Sequence, residues 1–195
     1  RFTATNFKNK NSKKVLEIGC GTGANLWYFS REKFQTYGID GSKVALKIAK
    51  KKLLNESLNV KLIHGDVSKI PFKNNYFDLI VDVECLYSNN LSDTKNILNE
   101  VKRVLKPNGF FYSQSFSNKT WGFKNGEQYK SEKLTMKNTR KGALKKENGI
   151  VRYLDLKTIK KIYGIFEIYN IEKSSRTINF MKNLIEEWII ICRKI

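Results

Sequence analysis

"VLEIGCGTGANLWYF", Val15 to Phe29, sets Gly19, Gly21 and Gly23 at alternate positions between an apolar run and a segment of helical period. Glycines at a strand-to-helix turn let the backbone bend tightly and approach a ligand, while the N–H groups of the first helical turn face the polar group bound there. A purely structural turn needs one such glycine, or two. Three at this spacing predict a nucleotide-type ligand. Gly19, Gly21 and Ala24 also satisfy the dinucleotide fingerprint, which accepts Gly or Ala at its third position. Asp40, closing the run "YGID", stands where a carboxylate accepts both ribose hydroxyls in either case, so these two features leave the identity of the nucleotide open.

Outward from that stretch, short apolar runs alternate with helical segments, the pattern of a mostly parallel sheet covered by helices on both faces. The candidate strands are Val15 to Ile18, Thr36 to Asp40, Val60 to His64, Asp78 to Val83, Phe110 to Ser115, Phe166 to Ile171 and Trp188 to Cys192. Ser42 is the expected cap of a helix carrying Val44, Ala45, Ile48 and Ala49 on one face. Ser92 is expected to cap another, whose stripe is Ile97, Leu98, Val101, Val104 and Leu105, with Pro107, Asn108 and Gly109 stopping it. Asp155 is expected to cap a last helix running to Gly164.

At 195 residues the chain fits one domain. Cys20, Cys85 and Cys192 lie far apart and form no paired spacing for zinc or a disulfide framework, which predicts a reducing, cytoplasmic setting. The longest apolar stretch, around Trp188 to Cys192, falls far short of the roughly 20 residues that cross a bilayer, so no membrane insertion is expected. The chain opens on Arg1 rather than Met, as a fragment would. A net charge of +19 raises the local concentration of anionic partners without saying which anion.

Strand and helix signals weaken from about residue 117 to 149, where Trp121, Phe123 and Tyr129 are set among Gly, Asn, Ser, Thr and Lys. From Lys119 to Lys146 there are nine Lys or Arg against two Glu. The stretch is expected to be an irregular basic segment that covers a substrate.

With Glu17 heading "EIGCGTG", then "YGID", "HGDVSKIPF", "FDLIVDVECLY" and "EVKRVLKPNGFFYSQSF", the sequence resembles the class I S-adenosylmethionine-dependent methyltransferases over about Val15 to Phe116. The closing "EWIIICRK" looks like that family's last strand. The resemblance implies a Rossmann-like, seven-stranded, mostly parallel α/β sheet with an antiparallel last strand. It also implies S-adenosylmethionine as cofactor, with S-adenosylhomocysteine as product. Carried over residue by residue, Gly19, Gly21 and Gly23 lie against the methionine and ribose, and Glu17 orients the amino group. Asp40 holds the ribose hydroxyls, Asp66 with the backbone of Val67 reads the adenine amine, and Asp82 to Glu84 border the transferable methyl. His64, the only histidine, reads as structural.

Methyl transfer from a sulfonium is an in-line displacement on an activated carbon, so alignment and exclusion of water dominate and no metal is required. An acceptor hydroxyl or ammonium also needs its proton removed, and Glu84 with Tyr87 is the preferred catalytic pair, ahead of Asp82 and Tyr112. With only Pro71 and Pro107, the chain cannot carry the Asn/Asp-Pro-Pro-aromatic motif of amino-methylating nucleic-acid enzymes, and Cys85 lacks the flanking proline of base carbon-methylating ones. The expected acceptor is therefore an oxygen or nitrogen of a small, anionic molecule: a sugar, a nucleotide-linked sugar or another phosphorylated metabolite. The alternatives are an RNA methyltransferase, a non-catalytic cofactor-binding subunit, and a nicotinamide enzyme.

Overall fold

A computed structural model describes residues 2–195, with the side chains of all but 146–148. In chain order the elements are α1 (Phe2–Asn6), β1 (Lys14–Ile18), α2 (Ala24–Arg31), β2 (Gln35–Asp40), α3 (Lys43–Asn55), β3 (Val60–His64) and β4 (Phe77–Val83). They continue with α4 (Leu91–Val104), β5 (Leu105–Phe116), β6 (Glu127–Tyr129), β7 (Glu132–Thr139), β8 (Lys146–Arg152), α5 (Leu156–Tyr163), β9 (Glu167–Ile178) and β10 (Asn183–Arg193).

Seven strands form one sheet in the order β3-β2-β1-β4-β5-β10-β9. β1 runs parallel to both β2 and β4, β2 runs parallel to β3, and β10 is antiparallel to β9 and to β5. This is the Rossmann-like sheet expected from the sequence, with its antiparallel last strand. β1 and β4 are buried almost end to end, which is why they read as unbroken apolar runs rather than alternating ones.

The expected caps hold at two helices. Ser42 Oγ accepts the Ala45 amide at 3.2 Å, and Asp155 Oδ1 accepts the Thr158 amide at 2.7 Å. The third is corrected: α4 already begins at Leu91, so Ser92 lies inside its first turn, and Asn90 Oδ1 accepts the Asp93 amide at 2.9 Å in place of the expected Ser92 cap. Pro107, Asn108 and Gly109 lie inside β5 rather than in a loop before it, where Asn108 donates its amide to the Lys194 carbonyl at 2.8 Å.

The larger correction concerns 117–149. This segment, expected to be irregular, contains β6 and β7 and most of β8, which form a separate three-stranded antiparallel sheet, β6-β7-β8. β7 buries Thr135, Met136 and Thr139, so most of its buried positions bear hydroxyls and the apolar alternation that marks a strand is missing.

The chain divides into two compact units. The first contains the residues up to Val83, Asn99–Phe111 and Lys194–Ile195, and the second contains Glu84–Leu98 and Tyr112–Arg193. In the first, Cys20, Leu26, Leu46, Ala49 and Leu53 form a buried cluster, with Leu58, Val60 and Leu62 packed against it. In the second, Phe116, Met136, Val151, Tyr153 and Ile185 do the same, with Tyr87 and Phe123 among the side chains against them.

Candidate functional site

Parallel strands bring their carboxyl ends to one edge, and a ligand crevice opens where the chain leaves neighbouring strands in opposite directions. In the first unit that point lies between β1 and β4, since β2 and β3 continue on one side of β1 and β4 lies on the other. Ile18 at the end of β1 is in register with Asp82 near the end of β4.

The loop after β1 is the quoted glycine stretch. Gly19, Gly21 and Gly23 have φ of 65°, 50° and 81°, a region that costs a residue with a Cβ about 1–2 kcal/mol. Their surroundings differ. A Cβ on Gly23 would come within 3.1 Å of the Ala49 Cβ, so this glycine seats α2 against α3, whereas a Cβ on Gly21 would meet nothing within 4 Å.

Asp40 ties the loops together. Its Oδ2 accepts the Gly21 amide at 2.8 Å and its Oδ1 accepts the Ser42 amide at 2.7 Å. The turn after β3 joins them, because Gly65 donates its amide to the Asp40 carbonyl at 3.1 Å and His64 Nε2 lies 3.1 Å from the Gly41 carbonyl. Asp66 Oδ1 accepts the Ser68 amide at 2.8 Å, and hydrogen bonds from Ser68 hold its exposed carboxyl below the usual carboxylate range. Val67 is half-buried beside it.

Glu17 is only 3% exposed. Asn25 Nδ2 donates to its Oε1 at 2.7 Å, while Oε2 is buried with no hydrogen-bond partner. Burial raises its pKa to about 8, the Asn25 hydrogen bond opposes that, and the negative charges of Asp82 and Asp40 add to it. A buried carboxylate with an empty acceptor is costly unless something is bound there. Asp82 is fully buried. The structure thus brings Glu17, Gly19, Gly21, Gly23, Asp40 and Asp82 together at the ends of β1, β2 and β4, with Asp66 and Val67 on the turn after β3. Among the described residues, no group of three or more His, Cys, Asp or Glu is placed to hold a metal ion. Asn25 lies inside the quoted stretch, yet the sequence reading gives it no role. The signal that could have found it is its place in the first turn of α2, eight residues after Glu17.

Glu84 and Tyr87 belong to the second unit. Glu84 is exposed, has a φ of 60°, and donates its amide to the Gln114 carbonyl at 3.1 Å. The Tyr87 ring meets Phe116 edge-on at 5.4 Å between centroids. Burial, with the neighbouring Glu84 and Cys85, raises the Tyr87 phenol above its ordinary value against a hydrogen bond with Ser88. Tyr112 is raised in the same direction by burial and by Glu172 and Glu187. A raised phenol stays protonated at neutral pH, so it can donate a hydrogen bond but is a poor base.

Two residues that sequence reasoning missed hold the Tyr87 segment. Arg152, 2% exposed, donates Nη1 to the carbonyls of Asn89 and Asn90 at 3.1 Å each and to Thr94 Oγ1, and Nη2 to the Leu86 carbonyl at 3.1 Å. Glu132 accepts the Leu91 amide through both oxygens at 3.1 Å and the Thr135 hydroxyl at 2.7 Å. The available signal was the run "GIVRYL", in which an arginine interrupts apolar residues and must find acceptors if the strand is buried.

Residues 15–109 match the family described as methyltransferase domain. A demethylmenaquinone methyltransferase of Geobacillus sp. (strain WCH70) is 36% identical over 106 residues, which is 51% of this chain and 44% of that protein. The chain therefore spans less than half the length of the curated relatives it matches. Among solved structures, an S-adenosylmethionine-dependent methyltransferase from Methanosarcina mazei superposes with a TM-score of 0.82 at 21% identity, covering 98% of this chain and 96% of that one. A Burkholderia thailandensis 1,6-didemethyltoxoflavin-N1-methyltransferase, solved with 1,6-didemethyltoxoflavin and S-adenosylhomocysteine bound, gives 0.67 at 16% identity, covering 93% and 71%.

Proposed function

We infer that this chain, which belongs to the class I S-adenosylmethionine-dependent methyltransferases by its fold and by the domain over residues 15–109, binds that cofactor at the carboxyl ends of β1 to β4 and methylates a small molecule. The observation that carries the reading is the sign of charge at the crevice. Asp82 and Asp40 place negative charge there, which adds to the burial that raises Glu17, although the chain as a whole is +19. S-adenosylmethionine carries an ammonium and a sulfonium, both cations. A nicotinamide dinucleotide would bring a pyrophosphate to a loop whose Gly21 amide is already given to Asp40, beside carboxylates that repel it.

The empty acceptor of Glu17 fits the ammonium, directly or through water. Each Asp40 oxygen holds one backbone amide and retains a second lone pair for a ribose hydroxyl. Asp66 and the backbone of Val67 are assigned to the adenine amine, Asp82 to the methionine end, and the glycine loop to the methionine and ribose.

When bound, the cofactor supplies a methyl carbon activated by sulfur, with S-adenosylhomocysteine as product. The chain's task is to hold the acceptor atom in line and dry, which is worth about 7–11 kcal/mol when near-attack geometry is met. We assign removal of the acceptor's proton to Glu84, and orientation of the acceptor by a donated hydrogen bond to Tyr87.

A small anionic acceptor, such as a sugar, a nucleotide-linked sugar or a phosphorylated metabolite, is supported by the basic excess from Lys119 to Lys146. Both acids of that stretch are engaged, Glu127 with Lys137 at 3.0 Å and Glu132 with Leu91 and Thr135. A second reading, an apolar aromatic acceptor, is favoured by the packing of Tyr87 on the Phe116 cluster and by the similarity to demethylmenaquinone methyltransferases. The test is a pair of thermal-shift measurements with S-adenosylhomocysteine and NAD, then a labelled-methyl assay over phosphorylated sugars, nucleotide sugars, quinols and bulk RNA. A shift with NAD alone overturns the cofactor assignment, and label appearing only in RNA overturns the small acceptor.

A further inference from the structure

The hairpin of β9 and β10 turns through Asn179, Phe180 and Met181, all with positive φ, at 53°, 53° and 66°. Asn adopts that region readily, but Phe and Met do so under strain. Tight hairpin turns are ordinarily made by Asn, Asp and Gly for this reason. Phe180 is 97% exposed and Met181 82%, and Leu184 on the returning strand is 37% exposed. The turn therefore gives up both backbone comfort and apolar burial, which suits a surface that meets something apolar.

Charge narrows what that is. Between Glu172 and Glu186 the chain holds Lys173, Arg176 and Lys182 and no acid. Two of these cations are paired along the hairpin, Lys173 with Glu186 at 3.1 Å and Arg176 with Glu187 at 3.4 Å, while Lys182 directly follows Met181. A second copy of this chain would carry the same +19 and be repelled. A single nucleic-acid strand is met by several aromatic faces on which successive bases stack, and this turn offers Phe180 alone, with the aliphatic Met181 and Leu184 beside it.

We propose that the Phe180–Met181 turn docks on an anionic lipid bilayer, its two apolar side chains entering the boundary between headgroups and acyl chains while the basic chain faces the lipid phosphates. Apolar side chains flanked by cations are the combination that the interface holds, and each cation near the surface adds about fivefold in partitioning. No helix among the described residues is long and apolar enough to cross a membrane.

The test is co-sedimentation of the full chain with vesicles of phosphatidylcholine alone or mixed with phosphatidylglycerol. The expected result is partitioning onto the anionic vesicles only, weakened by salt. Replacing Phe180→Asn together with Met181→Gly, residues that accept positive φ, should lower partitioning at least about tenfold while the melting temperature holds or rises. The single variant Phe180→Trp should give blue-shifted emission on the anionic vesicles. Undiminished partitioning of the double variant, no partitioning of the parent chain, or unshifted emission from the Phe180→Trp variant overturns the proposal. So does finding that the double substitution abolishes RNA binding or a concentration-dependent dimer instead.

Discussion

Asp40 Oδ2 accepts the backbone amide of Gly21 at 2.8 Å, so the ribose-binding carboxylate assigned above also holds the glycine loop in shape. Its other oxygen holds the Ser42 amide and with it the start of α3. Two different substitutions separate these functions. Asp40→Ala should lose S-adenosylhomocysteine binding by at least about 100-fold and destabilise the fold by about 1–3 kcal/mol, because two amides lose their acceptor. Asp40→Asn keeps one acceptor oxygen and should recover part of the stability with little of the affinity. Calorimetry and thermal unfolding of the two variants check this, and unchanged affinity in Asp40→Ala removes the ribose assignment.

Glu17 makes both stability and affinity depend on pH. Its pKa is raised from 4.5 to about 8 in the folded chain, so between those values the folded state holds a proton that the unfolded state has lost. Stability falls as pH rises through that window, by about a few kcal/mol in order of magnitude. Glu17→Gln should flatten the fall. Binding of a cationic ligand favours the ionised carboxylate, so affinity for S-adenosylhomocysteine should rise toward about pH 8, with a proton released on binding below it. Calorimetry in two buffers of different ionisation enthalpy measures that proton, and its absence sinks the ammonium assignment.

Gly23→Ala should cost about 1–2 kcal/mol, from a left-handed backbone and from a Cβ 3.1 Å from Ala49, and should shift α2 against α3. Gly21→Ala carries the same backbone cost without a neighbour to meet. A larger loss of S-adenosylhomocysteine affinity in Gly21→Ala than its loss of melting temperature explains would place the ligand in that open space, and proportional losses would argue against it.

Arg152→Met should destabilise the second unit by about 3–5 kcal/mol, since three carbonyls and the Thr94 hydroxyl lose a buried donor. Arg152→Lys should restore only part of it, because one ammonium cannot span the fork geometry. If the clamp positions the Tyr87 segment, Arg152→Lys should lower kcat more than it raises KM for the acceptor. Equal stability of the parent and Arg152→Met in thermal unfolding contradicts the clamp.

For the proton transfer, Glu84→Gln should flatten the acidic limb of the pH–rate profile, whereas Tyr87→Phe should lower kcat about tenfold or less without moving that limb. The Tyr87 phenol, held above its ordinary value, is protonated throughout the working range. Replacing Lys137, Arg140 and Lys141 with Gln should raise KM for an anionic acceptor, and an unchanged KM removes the charge argument for that acceptor class.

What could be read from residues alone came from strong, local signals. β1 and β4 are buried on both faces, so their apolar runs stand out, and three glycines with positive φ mark the turn whatever the rest of the chain does. Asp40 was legible as the acidic residue that ends the run of β2. The strand β7 was hidden because its buried positions include Thr135 and Thr139, and the α4 cap was misplaced because Asn90, Ser92 and Asp93 are all acceptable capping types within a few residues of one another. Asp66 stands out in the sequence by its place after the third strand, and that its carboxylate closes a turn on Ser68 is set by the folded backbone.

The sequence by itself determined the order of strands and helices in the first unit, the glycine turn and the carboxylate that ends the second strand, because each is written within a few consecutive residues by periodicity and backbone freedom. Only the tertiary structure decided that Glu17 keeps a buried oxygen without a partner, that Asp40 holds Gly21, and that Arg152 grips the carbonyl of Asn90, 62 positions away in the chain. The physical reason is that burial and hydrogen bonding between distant segments depend on which surfaces meet after folding, and no local pattern of side chains encodes that meeting.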